Sequence, residues 1–235
     1  MPSTRYRGDG VIQTDKEAAE QWKLYMKDLY ARRLADRELY GDNWPDLDED
    51  PDGPGSEWSD FQFNWAVDRV HAGRAAGHNG IQAELYKYSS WAREKLRLLL
   101  KQIWETGEFP EALITGKATV SFKSGDAEKY PRYRVLVMFT AEYKIFVTIL
   151  MRRIGDECSW FLRWWQSGFA AGRGTADNQY AAKQLYRLIV EAGKRAVAVH
   201  IDYSSAFDSL SHIYLFFALK RAGASAKTRQ LYKAI

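Results

Sequence analysis

Val197, Val199 and Ile201 fall on one side of the stretch RAVAVHIDYS, and Ala198, His200 and Asp202 fall on the other. A period of two is the pattern of a β-strand. The stretch ends at Asp202 and runs into SSAFDSL, which reads as a turn and a helix start. This junction restricts the fold most, because nearly everything around it is spaced like helix. Only KATVSF and RVLVM read as further extended pieces. The predicted order is helices, a short β section, helices, a strand, then helices. That is a mixed α/β (α+β) fold.

The helical segments carry their own punctuation. Thr14 and Glu17 stand at capping-box spacing, and Trp22, Tyr25, Met26, Leu29 and Tyr30 then repeat at helical intervals. An amphipathic N-terminal helix is expected within residues 1–40. Residues 41–60 are acidic and rich in Pro and Gly, and read as a linker. A shorter helix is predicted from Ser59, with Phe63, Val67 and Val70 on one face. AAGHNGI is a glycine-bearing turn. One long helix follows through AELYKYSSWAREKLRLLLKQIWETG, with Gly107 at its end and Pro110 beyond. AEYKIFVTILMRRIGDE reads as a buried helix. QSGFAAGRGTADN is a loop with Thr175 as a helix cap, and NQYAAKQLYRLIVEAG continues as helix. LSHIYLFFALKRAG is a helix stopped by Gly223, and ASAKTRQLYKAI begins another.

Composition bounds the chemistry. The chain has 235 residues and is 46% hydrophobic, enough for a sizeable core. Cys158 is the single cysteine, which excludes an internal disulfide framework and a cysteine zinc site. Lys and Arg total 34 against 30 Asp and Glu. The acidic cluster at 42–60 leaves the remainder more basic, a balance compatible with nucleic acid. There is no run of about 18 apolar residues, so no membrane span is expected. The start MPSTRYRGDG lacks the apolar core of a secretory signal. An intracellular setting is expected: nuclear, cytoplasmic, or an organelle if the chain is part of an assembly.

A carboxylate at a strand end, before a turn and a helix, is one way to hold a divalent ion for phosphoryl transfer. From the residues alone, Asp202 is either such a ligand or a turn residue. The plain reading of Phe207 is a core ring at a helix start, that of Lys123 and Arg134 is two surface cations, and that of Gln166, Gly168, Phe169 and Arg173 is a solvated loop.

HIDYSSAFDSLSH resembles the first catalytic motif of reverse transcriptases, especially those of LINE-type (non-long-terminal-repeat) retrotransposons and group II introns. Four other segments are similar to the same family in the same order: RAAGHNGIQAELYKY, FPEALITGKATVSFKSGD, KYPRYRVLVMFTAEYKIFVTILMRRI and QSGFAAGRGTADN. GVIQTDKEAAEQWKLYMKDLY resembles the helical stretch before the polymerase domain. The resemblance implies helix-rich fingers and an incomplete palm of a right-hand polymerase over 61–235, after an N-terminal helical extension (1–40) and the acidic linker (41–60). It implies that Asp202 binds Mg²⁺ beside the Tyr203 carbonyl, and that Phe207 packs under the incoming nucleotide as a sugar gate. It implies that Lys123 and Arg134 reach the triphosphate, and that Gln166, Gly168, Phe169 and Arg173 lie along the template. The partners it implies are an RNA template and a DNA primer.

The chain departs from the family at several positions. Asn79 stands where the family has Asp, Ala76 where it has Pro, and Val135-Leu136 where it has Pro-Ile. The family's paired aspartates have no counterpart, since no Asp-Asp dipeptide occurs. Mg²⁺ is therefore expected only if the missing carboxylates are supplied, and this chain alone is expected to be inactive. The alternative is a domesticated, non-catalytic fragment, serving as a structural subunit among protein partners in a large assembly or as an RNA-binding module.

Overall fold

The computed structural model describes residues 15–40, 57–126, 129–203, 206–207 and 210–235. Thr14 and most of the expected acidic linker (41–56) lie outside them. The first helix, α1, spans Asp15–Tyr40. It is followed by α2 (Asp60–Asp68), α3 (Glu84–Tyr88), α4 (Ser90–Thr106) and α5 (Glu111–Ile114). Two strands come next, β1 (Lys117–Phe122) and β2 (Tyr133–Met138). The chain then forms α6 (Ala141–Cys158), α7 (Thr175–Glu191), α8 (His212–Arg221) and α9 (Ala226–Ala234). The architecture is helix-rich α+β, with one two-stranded antiparallel sheet among the described residues.

Short polar side chains set many of the helix starts. Ser59, Ser89, Thr140, Ser211 and Ser225 each accept a hydrogen bond from the amide three residues on, satisfying a donor that the helix leaves open. Ser89 overturns one expectation. The single helix expected over 83–107 is two, because Ser89 adopts extended geometry and its hydroxyl caps Ala92. A serine offers the backbone a local alternative to continuing the helix, and periodicity alone does not register it. Thr175 is likewise not a cap but the first helical residue. Gly174 precedes it, and the Gly174 amide donates to the Asp177 carboxylate at 2.8 Å.

The core forms around α6. Ile145, Phe146, Ile149 and Leu150 on α6 pack with Phe63 and Val67 of α2, Leu96, Leu100, Ile103 and Trp104 of α4, and Leu231 of α9. Burying each of these large side chains contributes about 1.5–3 kcal/mol. Two polar clasps tie the layers. The Arg153 guanidinium donates to Glu57 O at 2.7 Å and Gln62 Oε1 at 2.8 Å, and lies 4.5 Å over the Trp104 ring. Glu157 accepts from Ser225 N at 2.8 Å and Thr228 Oγ1 at 3.0 Å, fixing the start of α9 to the end of α6.

The strand expected at RAVAVHIDYS does not form. Residues 194–203 carry no regular secondary structure, and Val197, Val199 and Ile201 are 92%, 78% and 75% exposed. A strand exists only where a neighbour takes up its N–H and C=O groups, and among the described residues none pairs with this stretch. The helix expected over LSHIYLFFALKRAG forms at His212–Arg221, after Ser211 and before Gly223. No helix among the described residues is long and apolar enough to cross a membrane.

Candidate nucleic-acid interface

The β1–β2 hairpin gathers cations by register. Ser121 lies opposite Arg134 and Phe122 opposite Tyr133, and the Lys123 amide donates to Arg132 O at 2.8 Å. Because side chains alternate, Lys123, Arg132 and Arg134 share one face of the hairpin. All three are exposed. The opposite face is aromatic. Phe122 meets Tyr133 with ring centroids 5.3 Å apart, and Trp22 of α1 stands edge-on to Tyr133 at 5.4 Å and to Tyr130 at 4.7 Å. One side of the hairpin is therefore fixed by α1, and the basic side faces solvent. The register thus sets three cations in neighbouring cross-strand positions on one exposed face. Of these, Lys123 and Arg134 are expected site residues. Arg132 is an addition that only the pairing register reveals.

A second group forms around the loop before α7. The Ser167 hydroxyl donates to Asn178 Oδ1 at 2.9 Å, and Ser167 and Ala170 are buried. Between them, Gly168 is exposed, and Phe169 holds φ 58° with its side chain 97% exposed. The left-handed conformation costs a non-glycine residue about 1–2 kcal/mol, and such costs concentrate at binding sites. The Phe169 ring meets Phe207 edge-on at 5.7 Å, so two residues expected to contact nucleic acid come together. Gln166 is exposed. Arg173 is engaged within the loop: its guanidinium donates to the carbonyls of Arg163 and Gln166.

Asp202 and Tyr203 lie on the exposed 194–203 stretch, and neither makes a hydrogen bond or ring contact among the described residues. Among the described residues no group of three or more His, Cys, Asp or Glu is placed to hold a metal ion. A single exposed carboxylate does not fit the clamp that two-ion phosphoryl transfer requires.

One buried polar cluster escapes sequence reasoning. Glu142, in the first turn of α6, is 4% exposed. It accepts from the Tyr86 hydroxyl and from the Asn79 carboxamide at 3.3 and 3.2 Å, while Asn79 Oδ1 accepts from the Ile81 amide at 3.1 Å. The loop carrying Gly77 is thereby fixed to the start of α6. Burial, and then the hydrogen bond and charge of Glu142, hold the Tyr86 phenol well above its ordinary range. The sequence separation of 63 residues between Asn79 and Glu142 is why no local pattern signals the contact. No protein-family model matches the chain.

Proposed function

We propose that this chain is the fingers and the beginning of the palm of a right-hand, RNA-directed DNA polymerase of the LINE-type retrotransposon class. In that reading Lys123 and Arg134 bind the triphosphate of an incoming nucleotide. Phe169 and Phe207 flank the nucleic acid, and Asp202 is one carboxylate of a site whose others are supplied elsewhere. The observation that supports it is the hairpin register. Two cations on opposite arms of the hairpin, singled out by two different motifs, share one exposed face, with Arg132 beside them. Cations held on a rigid hairpin suit a polyanion whose charge must be stabilised.

Titration with inorganic triphosphate tests this assignment. The reading predicts that Lys123→Ala with Arg134→Ala weakens binding by about tenfold or more, each lost charge-assisted hydrogen bond being worth ~1.5–3 kcal/mol. Undiminished triphosphate affinity in the double variant contradicts the assignment.

A second reading rests on a different observation. Leu185, Tyr186, Leu188 and Val190 of α7 are 57–70% exposed, and Val197, Val199 and Ile201 further along the chain are 75–92% exposed. Apolar surface of this extent marks an interaction site. It suits a non-catalytic module that docks into a larger assembly as well as it suits fingers that pack against more palm.

A further inference from the structure

We infer that the face formed by α2 and α6 is a second, separate binding site for single-stranded nucleic acid. A cavity of about 230 Å³ opens between α2, α6 and the loop 70–83. Ala66, Val70, Ile81, Ala83, Ala141 and Ile145 give it an apolar floor. Its remaining lining includes Arg69, His71, Arg74 and Lys144, and no carboxylate. Among the described residues, Arg69, Arg74 and Lys144 enter no ion pair. An apolar cavity lined by cations suits a planar ring that carries a phosphate.

The surface leading to the cavity repeats that chemistry. Phe61 and Trp65 on α2 and Arg69 at its C-cap recur at four-residue intervals, and Arg152 reaches over from α6. The Arg152 guanidinium lies 5.8 Å from the Phe61 ring and 4.2 Å from the Trp65 ring, and that of Arg69 lies 4.3 Å from Trp65. Phe61 is 69% exposed. Arg152 also approaches Asp156, at 3.8 Å. Rings and guanidinium groups thus alternate over eight residues of helix. That is about 12 Å, a length that spans about three stacked nucleotides. A basic track interleaved with aromatic planes is how proteins hold single strands without reading sequence. An acidic peptide would use the cations but neither the rings nor the apolar cavity. Neither the hairpin nor Asp202 contributes to this face, which is separate from the proposed polymerase site.

Fluorescence anisotropy with labelled oligouridine of about 15 nucleotides tests the inference. The probes are that oligomer, an abasic strand of equal length, and polyglutamate. The proteins are the full chain, a triple variant Arg69→Glu, Arg74→Glu, Lys144→Glu, and the neutral variant Arg69→Gln, Arg74→Gln, Lys144→Gln. All are checked by circular dichroism melting. Three lost phosphate contacts at ~0.7 each should reduce the salt slope by about two and weaken binding at least tenfold. The abasic strand should bind more weakly than oligouridine.

Should the charge-reversed variant fail to fold, the neutral one decides. Wild-type affinity and salt slope in a folded variant overturn the inference. Polyglutamate binding as tightly as oligouridine, with the same loss on substitution, overturns it in favour of an acidic protein segment. Lys123→Ala with Arg134→Ala serves as the separating control. Oligouridine binding lost there but kept in the α2/α6 variants overturns this site and leaves the polymerase reading standing. The converse supports this site even if that reading fails.

Discussion

Asn79 stands where the resembled family carries an aspartate, and Glu142 gives the physical reason. The Asn79 carboxamide donates to both Glu142 oxygens. An aspartate there would set a second carboxylate against a buried one. Asn79→Asp should therefore cost about 1–3 kcal/mol in urea unfolding at neutral pH. The deficit should shrink in acid, where the pair can share a proton. A deficit independent of pH would rule out the carboxylate clash.

Tyr86 completes the cluster. Its folded pKa lies above the ordinary 10.0, so the folded state holds the phenolic proton more tightly than the unfolded chain does. That contribution is fully present below about pH 10 and is lost as pH rises above it. Tyr86→Phe should lower stability at neutral pH by about 1–2 kcal/mol and flatten the alkaline decline. A decline equally steep in the variant would place its origin elsewhere. Gly77 meets a different constraint. A Cβ there would lie 2.7 Å from Thr140 Cα and 2.8 Å from Phe139 O, both backbone atoms. Gly80 has φ +72° and open space around it. Gly77→Ala should cost more than Gly80→Ala, whose left-handed backbone alone costs about 1–2 kcal/mol. Melting temperatures of the two variants make the comparison.

At the scale of elements, the sequence yields the helices and the hairpin where local rules decide. The apolar spacing of α4 and α6 reappears as core contacts, and KATVSF forms a strand because RVLVM pairs with it, although most of that strand stays exposed. Ser59 is legible for the same reason, since a cap acts on the next few residues. Ser89 is not, because the helical spacing runs on across it. The stretch 195–203 is illegible in a more basic sense: its alternation is real, but its strand partners are not encoded in the stretch itself. The basic hairpin face was half legible, since two of its cations stood out in motifs and Arg132 needed the register. The Asn79–Glu142 contact and the α2/α6 cavity depend on chain crossings that no window of sequence contains. Amide hydrogen exchange tests the state of 195–203. These amides should exchange at unprotected rates in the isolated chain, and those of α6 far more slowly. Protection across 195–203 matching that of β1 would mean that the strand forms after all.

At the scale of the molecule, the described residues divide by burial. The elements around α6 share a continuous core, whereas α7 and the stretch after it expose most of their apolar side chains. Both proposed readings require that this exposed part be covered, by further polymerase sequence or by a host protein. They differ in whether Asp202 participates in chemistry. Templated primer extension separates them. The chain, supplied in cis or in trans with a segment carrying the remaining carboxylates, is given an RNA template, a DNA primer, deoxynucleotides and Mg²⁺. The polymerase account predicts template-dependent extension that Asp202→Ala abolishes. Failure to extend, or extension that survives Asp202→Ala, contradicts it.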